Sequence, residues 1–156
     1  MDNSSVKSLA LPGSESRARF KILRDGRWLH DGGEIRRPEM VRLFATILRR
    51  EEDGRHWLVT PVERAVVEVE DAPFLAVQVI AGETLRFITN IGEKIDLRQP
   101  GQFNLRDGRP YLAMRSGLSA LLTRGLFIEL ANMSEERDGK LGLVSSGHFY
   151  PLGPAS

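Results

Sequence analysis

Four of the five Asp-Gly dipeptides in this chain place the strongest constraint on how it can fold, because each of the four lies between two apolar segments. They occur at Asp25-Gly26, Asp53-Gly54, Asp107-Gly108 and Asp138-Gly139. Asp-Gly in such a setting is typical of a β-hairpin, since glycine adopts the positive φ that a tight turn requires. The sequence therefore predicts a chain built largely from antiparallel hairpins.

The surroundings of these turns repeat in order along the chain. Residues 103–112 resemble residues 20–29, each with a hydrophobic strand, an Arg-Asp-Gly-Arg turn and an aromatic-Leu return. Residues 135–145 resemble residues 51–60 in the same way, and the separation of Asp25 from Asp107 is nearly that of Asp53 from Asp138. We interpret the chain as a duplicated unit; the alternative is chance recurrence of a common hairpin turn.

Apolar spacing predicts two helices. Pro38 suits the first turn of a helix, and the apolar face of that helix would comprise Met40, Leu43, Phe44, Ile47 and Leu48. Ser116 would cap a second helix, whose apolar face would comprise Leu118, Leu121 and Leu122. Residues 126–133 favour a strand, with a short helix as the alternative.

The longest β-rich run extends from His56 to Phe74 and carries the densest cluster of carboxylates. Within it Ala65, Val67 and Val69 alternate as the buried face of a half-buried strand requires. This alternation places Glu63 on the apolar side unless Pro61 or a bulge shifts the register. An unpaired carboxylate there would be costly, so Glu63 is favoured as a functional residue.

These patterns together predict an α+β fold of two small domains with a duplicated hairpin, helix and strand core and antiparallel sheets. The predicted boundaries are a flexible leader at 1–19, an N-terminal α+β domain at 20–72 and a β-rich C-terminal domain at 73–156 that repeats the first.

Composition narrows the partners and the compartment. The chain has 22 basic and 21 acidic residues, so the net field does not favour nucleic acid. The sequence contains no cysteine, which excludes disulfides and thiolate chemistry and fits a reducing cytoplasm. The N-terminal segment lacks the apolar core of a signal peptide, and no apolar run is long enough to span a membrane, so we expect a cytoplasmic protein without a membrane partner.

Sequence motifs of common enzymes are absent. There is no H-E-x-x-H, no P-loop, no G-x-G-x-x-G and no G-x-S-x-G. Ser145-Ser146-Gly147-His148 contains a hydroxyl and an imidazole, but side chains this close on one strand usually point to different faces. These absences exclude a classical NTPase, a Rossmann enzyme and an α/β-hydrolase, and leave an enzyme of another kind as the less favoured alternative.

Arginine outnumbers lysine 18 to 4. Planar guanidinium groups suit phosphate oxygens, so arginines are the candidates for gripping an anionic ligand; surface solvation is the alternative for each one. The candidates are Arg64, Arg86, Arg109 and Arg115.

Several short motifs, in this order, resemble the bacterial DUF1285 family of unknown function. They include Arg24-Asp25-Gly26-Arg27-Trp28, residues 43–51, residues 57–63, Val69-Glu70-Asp71-Ala72-Pro73-Phe74, Arg109-Pro110-Tyr111 and Phe149-Tyr150-Pro151-Leu152. The resemblance implies two α+β domains with a duplicated core, the second loosely like a pleckstrin-homology domain. It also implies a groove between the domains that takes a nucleotide-like ligand, and a role in signal transduction.

The resemblance places Thr60, Glu63, Glu70, Asp71 and Asn90 at polar positions beside that groove. Such residues could bind a ribose or base, or hold Mg²⁺ against a phosphate; the alternative is a solvated strand face and a turn before Pro73.

The leading expectation is a non-catalytic sensor or adaptor that binds a small anionic, nucleotide-like ligand in the groove between its two domains, with a signalling protein as a further partner. The expected ligand-binding residues are Thr60, Glu63, Arg64, Glu70, Asp71, Pro73, Asn90 and Arg109. No resident cofactor is expected, although Mg²⁺ could accompany a phosphate ligand. One alternative is a metal-dependent phosphohydrolase using Glu63, Glu70 and Asp71; another is a protein-interaction module without a small ligand.

Overall fold

The computed structural model describes residues 18–155, which divide into two compact units. The first unit comprises the described chain up to Pro73 together with the short segment Arg115–Leu118, and the second comprises Phe74–Met114 and the chain from Ser119 onward. Most of the leader expected at 1–19 lies outside the described residues. Arg19 is described, and its backbone N–H donates to Asp31 Oδ1 at 2.9 Å.

Within residues 18–73, the described part of its main segment, the first unit contains one six-stranded sheet and one helix. Its elements are β1 (Phe20–Ile22), β2 (Trp28–His30), β3 (Gly33–Glu34), α1 (Pro38–Thr46), β4 (Leu48–Arg50), β5 (His56–Val59) and β6 (Arg64–Val69). The strand order is β3-β2-β1-β6-β5-β4, in which β1 and β6 are parallel and the other neighbours are antiparallel. Two three-stranded meanders thus join along the first and the last strand.

The second unit repeats this sheet and adds a helix and a smaller sheet. Its elements are β7 (Phe74–Ile80), β8 (Arg86–Thr89), β9 (Lys94–Asp96), β10 (Phe103–Arg106), β11 (Arg109–Ala113), β12 (Ser119–Leu122), α2 (Arg124–Asn132), β13 (Glu135–Arg137), β14 (Lys140–Ser145) and β15 (His148–Pro154). The order β10-β11-β12-β7-β8-β9 mirrors the first sheet, with β7 and β12 as its parallel pair, and β13-β14-β15 form a separate antiparallel sheet. The predicted α+β class and repeated core are confirmed.

The register of the repeat differs from the predicted one. By strand order, β4-β5 of the first sheet corresponds to β10-β11 of the second, so Asp53 matches Asp107 and Trp57 matches Tyr111 at one constant offset. The predicted pairing of Asp25 with Asp107 and of Asp53 with Asp138 is therefore wrong. It joined turns that share a dipeptide and not a position in the sheet.

The Asp-Gly turns are of two kinds, which explains the error. At Asp25-Gly26 and Asp53-Gly54 only the glycine has a positive φ, of 95° and 90°. At Asp107-Gly108 and Asp138-Gly139 both residues have a positive φ, as in two-residue hairpin loops. One dipeptide thus serves two turn geometries, and sequence similarity between turns did not identify equivalent hairpins.

The helix predictions are partly wrong. Helix α1 begins at Pro38 but ends at Thr46, because Leu48–Arg50 pairs with β5 as a strand. The helix predicted from Ser116 is strand β12, in which burial alternates through Ala120 and Leu122. Residues 124–132 form helix α2 and not the favoured strand. Neither helix of the described chain has the length and apolar character needed to cross a membrane.

Each large sheet buries one face under apolar side chains. In the first unit the Phe44 ring of α1 lies 5.3 Å from the Phe20 ring and 6.3 Å from the Trp28 ring, measured between centroids. In the second unit Leu126 and Leu130, one helical turn apart, are the buried residues of α2. Both helices thus cover a sheet with an apolar stripe.

Candidate functional site

The β5-β6 hairpin fixes Thr60 and Glu63 in a turn. Thr60 Oγ1 accepts the backbone N–H of Glu63 at 3.1 Å and donates to the Glu63 carbonyl oxygen at 3.0 Å. The Glu63 side chain is exposed, so the predicted placement on the apolar side is wrong. The reason is that β6 begins only at Arg64, and the turn takes Glu63 out of the strand alternation.

Glu70, Asp71 and Pro73 follow the other end of β6. Glu70 Oε1 accepts the backbone N–H of Arg24 at 2.8 Å, and the carboxylate lies 3.8 Å from Lys21 Nζ. Asp71 is half-buried and Pro73 is buried. Glu70 therefore ties the end of β6 to the β1-β2 hairpin.

The three carboxylates of the hydrolase alternative do not converge. Glu63 precedes the first residue of β6 and Glu70 follows its last, so the whole six-residue strand separates them. A strand rises about 3.3 Å per residue, so the two backbones are roughly 20 Å apart. Among residues 18–155 no group of three His, Cys, Asp or Glu side chains is arranged to hold a metal ion.

Asn90 makes local backbone contacts in the second unit. Its Oδ1 accepts the N–H of Leu75 at 3.1 Å, and its own backbone N–H donates to the Leu75 carbonyl oxygen at 2.9 Å. These two bonds join the turn after β8 to the start of β7. These bonds within the sheet account for the polar side chain of Asn90 without a ligand.

Arg109 lines a concave surface of the second unit with a volume of about 330 Å³. Arg124 and Thr123 lie on the same surface, as do apolar residues; the other lining residues are Gly108, Pro110, Leu121, Leu122 and Phe127. We call this surface the Arg109 cavity. It gathers residues from the β10-β11 turn, from the start of β11, from β12 and from the first turns of α2.

The start of α2 contributes to the electrostatics of the Arg109 cavity. Thr123 is the N-cap, and its Oγ1 accepts the backbone N–H of Leu126 at 3.3 Å. Other first-turn N–H groups of a helix have no partner within the helix, and the helix dipole is positive at this end. Together with the guanidinium groups of Arg109 and Arg124 this arrangement favours an anion, while Leu121 and Phe127 offer apolar contact.

Sequence reasoning found Arg109 but missed Arg124, Thr123 and Phe127. The reason is that residues 126–133 were assigned to a strand, which hides a helix start. Thr123 before a helical run was the local signal that could have revealed it.

Two other candidate arginines have partners within the fold. Arg86 Nε donates to Asp96 Oδ1 at 2.7 Å, and this bond, together with the one from Arg98, lowers the pKa of Asp96 to about 2. Arg115 Nη2 donates to the Ala45 carbonyl oxygen at the end of α1, at 3.0 Å. Arg86 thus joins two neighbouring strands, and Arg115 joins segments of the first unit that are 70 residues apart in the chain.

Ser145 is a structural residue of the second unit. Its Oγ is fully buried, accepts the N–H of Leu85 at 2.7 Å and donates to the Leu97 carbonyl oxygen at 2.7 Å. A buried hydroxyl with both roles occupied does not serve as a nucleophile. The serine instead joins β14 to the chain beside β8 and β9.

Comparisons with known proteins agree on one family. The family model described as domain of unknown function (DUF1285), N-terminal domain, matches residues 10–72. The model described as protein of unknown function (DUF1285), C-terminal domain, matches residues 73–152. No curated protein matches the chain.

Two crystal structures are similar to this chain. A DUF1285 family protein from Silicibacter pomeroyi DSS-3 is 35% identical, with a TM-score of 0.78, and the match covers 99% of this chain and 97% of that chain. A DUF1285 family protein from Shewanella baltica OS155 is 33% identical, with a TM-score of 0.65, over 72% of this chain and 90% of that chain. The chain therefore belongs to the DUF1285 family.

Proposed function

We propose that the protein is a non-catalytic sensor or adaptor for a small anionic, nucleotide-derived ligand, and that the Arg109 cavity binds the anionic part of that ligand. The observation that carries the proposal is the convergence of Arg109, Arg124 and the capped start of α2 around about 330 Å³. A space of this size suits a small molecule. Arginine forks and helix N–H groups are the donors that phosphate oxygens prefer.

The apolar wall favours a ligand with more than a phosphate. Phe127 and Leu121 lie on the same surface as the arginines. A base or another flat group could contact them while the phosphate contacts the guanidinium groups. Mg²⁺ would enter with the ligand, bridging its phosphates, since carboxylates do not line this cavity.

The biological role we propose is in cytoplasmic signalling. Ligand occupancy of the Arg109 cavity would alter binding of a signalling protein. Neither nucleic acid nor a membrane is needed for this role, in keeping with the balanced charge of the chain.

Calorimetric titration of the full chain with AMP, ADP, GDP and inorganic phosphate, with and without Mg²⁺, tests the proposal. We expect a nucleotide to bind more tightly than phosphate. The double variant Arg109→Gln/Arg124→Gln should weaken binding at least about tenfold, because a hydrogen bond to a charged group is worth about 1.5–3 kcal/mol.

The matched control is Arg137→Gln, which removes an exposed arginine that pairs with Glu135 and lies outside the cavity. Binding that is absent, or equal in the double variant and the control, would refute the proposal. Release of phosphate from a nucleotide in the presence of Mg²⁺ would show that the protein is a hydrolase and not a non-catalytic sensor.

A further inference from the structure

The connection between β11 and β12 leaves the unit that contains both strands. Met114 and Ser119 belong to the second unit, whereas Arg115–Leu118 between them belong to the first. By strand order the counterpart of this connection is the one between β5 and β6, which stays within the first unit. The two repeats therefore differ at this place, and we call Arg115–Leu118 the strap.

Polar and apolar contacts hold the strap in the first unit. Arg115 Nη2 donates to the Ala45 carbonyl oxygen at the end of α1, at 3.0 Å. The last turn of α1, which is fully described, has no basic residue of its own. The strap thus supplies the cation that the negative end of the helix dipole favours. Leu118 is only 1% exposed, so its side chain adds apolar burial to this anchor.

The docked backbone of the strap is conformationally unfavourable. Ser116 has a φ of 56° and a ψ of 33°, the left-handed region that disfavours residues other than glycine, asparagine and aspartate. Gly117 follows with a φ of 73°, and a Cβ there would lie 2.9 Å from the Arg50 carbonyl oxygen of β4. The Ser116 side chain is exposed, so the anchor of the strap and not packing of this side chain offsets the strain. Opposing contributions of this kind are expected of a segment with a docked and a released state.

The strap and the Arg109 cavity lie at opposite ends of one strand pair. The first two residues of β11 and the last two of β12 line the cavity. The strap joins the other ends of these strands, where Ala113 pairs with Ser119, about 13 Å along β11 from Arg109. Between the two ends Leu112 and Ala120 pair with each other and are fully buried. An extended, hydrogen-bonded pair cannot stretch, so a displacement at one end is transmitted to the other.

We propose that the strap couples the Arg109 cavity to the end of α1. The docked strap holds β11 and β12 in the register that forms the cavity, and its release leaves the cavity less well formed. A ligand in the formed cavity therefore favours the docked strap, and docking raises the affinity for the ligand by the same factor, because such coupling is reciprocal. The inference rests on the proposed function for its ligand and deepens it, since it gives the route by which occupancy reaches the first unit.

Two substitutions of Ser116 test the coupling without a ligand. Ser116→Asn should favour the docked strap, because asparagine tolerates the left-handed region, and Ser116→Val should favour release, because a β-branched side chain does not. The measurement is amide hydrogen exchange of the full chain by NMR. The reporter is the Thr123 N–H, which donates to the Ala76 carbonyl oxygen at 3.1 Å, beside the cavity. Its exchange should be at least about threefold faster in Ser116→Val than in the native chain, and slower in Ser116→Asn.

The matched control is Asp138→Val. Asp138 is also an exposed residue with a positive φ, of 49°, before a glycine, but its turn joins β13 to β14. The same backbone strain there should leave the exchange of Thr123 unchanged. A strap that only completes the first unit would alter exchange at residues 44–50 and 115–118 and not at Thr123. That outcome, or equal effects of Ser116→Val and Asp138→Val on Thr123, would overturn the coupling.

The same exchange experiment with AMP, ADP and GDP separates the coupling from the proposed function. A nucleotide that binds should slow exchange of the Ile47 N–H, which donates to the Phe44 carbonyl oxygen at the end of α1, at 3.1 Å. Ser116→Val should weaken its binding, and Arg109→Gln/Arg124→Gln should abolish the effect at Ile47. Binding without a change at Ile47 would overturn the coupling and leave the proposed function intact. If no nucleotide binds, the proposed function fails, and the Ser116 variants alone decide the coupling.

Discussion

The two six-stranded sheets share one strand order but are covered in different ways. In the first unit helix α1 comes between the two meanders in chain order, after β3 and before β4. In the second unit the helix follows the second meander, and β13-β14-β15 are added after it. The comparison teaches that the repeated element is the sheet with its parallel junction, while the elements that cover each sheet come at different places in the chain order.

The aromatic residues allow the two units to be observed separately. Both tryptophans, Trp28 and Trp57, lie in the first unit, and both tyrosines, Tyr111 and Tyr150, lie in the second. Tryptophan fluorescence therefore reports unfolding of the first unit. Hydrogen exchange of amides in β7–β15 reports the second.

The largest expected effect is that of Gly142→Val, which acts on the small sheet of the second unit. A Cβ at position 142 would lie 2.5 Å from Phe149 Cζ and 2.6 Å from the Tyr150 carbonyl oxygen. Overpacking against backbone should cost more than about 3 kcal/mol, measured as the free energy of unfolding in urea and as faster exchange of the second unit. Gly153→Ala, whose Cβ would meet no atom within 4 Å, is the control and should be tolerated.

Ser145→Ala should have the next largest effect, again in the second unit. The change leaves the buried N–H of Leu85 and the carbonyl oxygen of Leu97 without their partner. Each such group costs about 1–3 kcal/mol, so we expect a loss of about 2–4 kcal/mol in the free energy of unfolding. Ser146→Ala removes a single, part-buried hydrogen bond to Thr84 and should cost less. Equal losses for the two serines would contradict this structural role.

Gly117→Ala sharpens the comparison, because the residue lies between two strands of the second unit but belongs to the first. Its φ is +73°, and a Cβ there would lie 2.9 Å from the Arg50 carbonyl oxygen. Backbone strain in the left-handed region costs about 1–2 kcal/mol, and the crowding adds to this. The transition seen by tryptophan fluorescence should shift to lower urea. Gly125 has open space around it, so Gly125→Ala should not destabilise the protein. A shift of the fluorescence transition as large as that of Gly117→Ala would refute the assignment of Gly117 to the first unit.

The last expected effect is the pH dependence that His56 gives the stability of the first unit. Burial and, secondarily, the neighbouring Arg50 lower the pKa of His56 from 6.5 to about 4. The unfolded chain then binds the proton more tightly, so this contribution to stability is intact above pH 6.5 and is lost as the pH falls toward about 4. Its equivalent in the second sheet is Pro110, which does not titrate.

Urea unfolding followed by tryptophan fluorescence between pH 7 and pH 4 measures this contribution. His56→Gln should remove about one proton from the pH dependence of the free energy of unfolding in that range. The lowered pKa values of Asp25 and Asp53 give stability that is lost only as these carboxylates protonate below pH 3.8, so they affect a lower range. An unchanged slope in His56→Gln would show that His56 is not the group responsible.

Local sequence signals predicted the parts of the fold that local interactions determine. Four of the five Asp-Gly turns predicted hairpins, Pro38 predicted the start of α1, and alternation along β6 correctly separated buried Ala65 and Val67 from exposed Val66 and Glu68. The errors fell where pairing with a distant strand outweighed helical spacing, as at Leu48 and at Ser119–Leu122.

The candidate site was less predictable for the same reason. Arg109 was identified from its side-chain chemistry alone. Its neighbours Thr123 and Arg124 lie at the start of α2, which is more distant along the chain. Glu63 and Glu70 shared one run of sequence and were expected in one site, yet a strand places them far apart. Closeness in sequence along an extended chain is a poor guide to closeness in space.

The sequence by itself determined the hairpins, the alternation of strand faces and the family resemblance, because turn geometry and strand period depend on adjacent residues. The tertiary structure decided the parallel junctions of β1 with β6 and of β7 with β12, the place of Arg115–Leu118 in the first unit, and the assembly of the Arg109 cavity. These depend on contacts between residues far apart in the chain or on packing over a whole core, and no local pattern encodes such contacts.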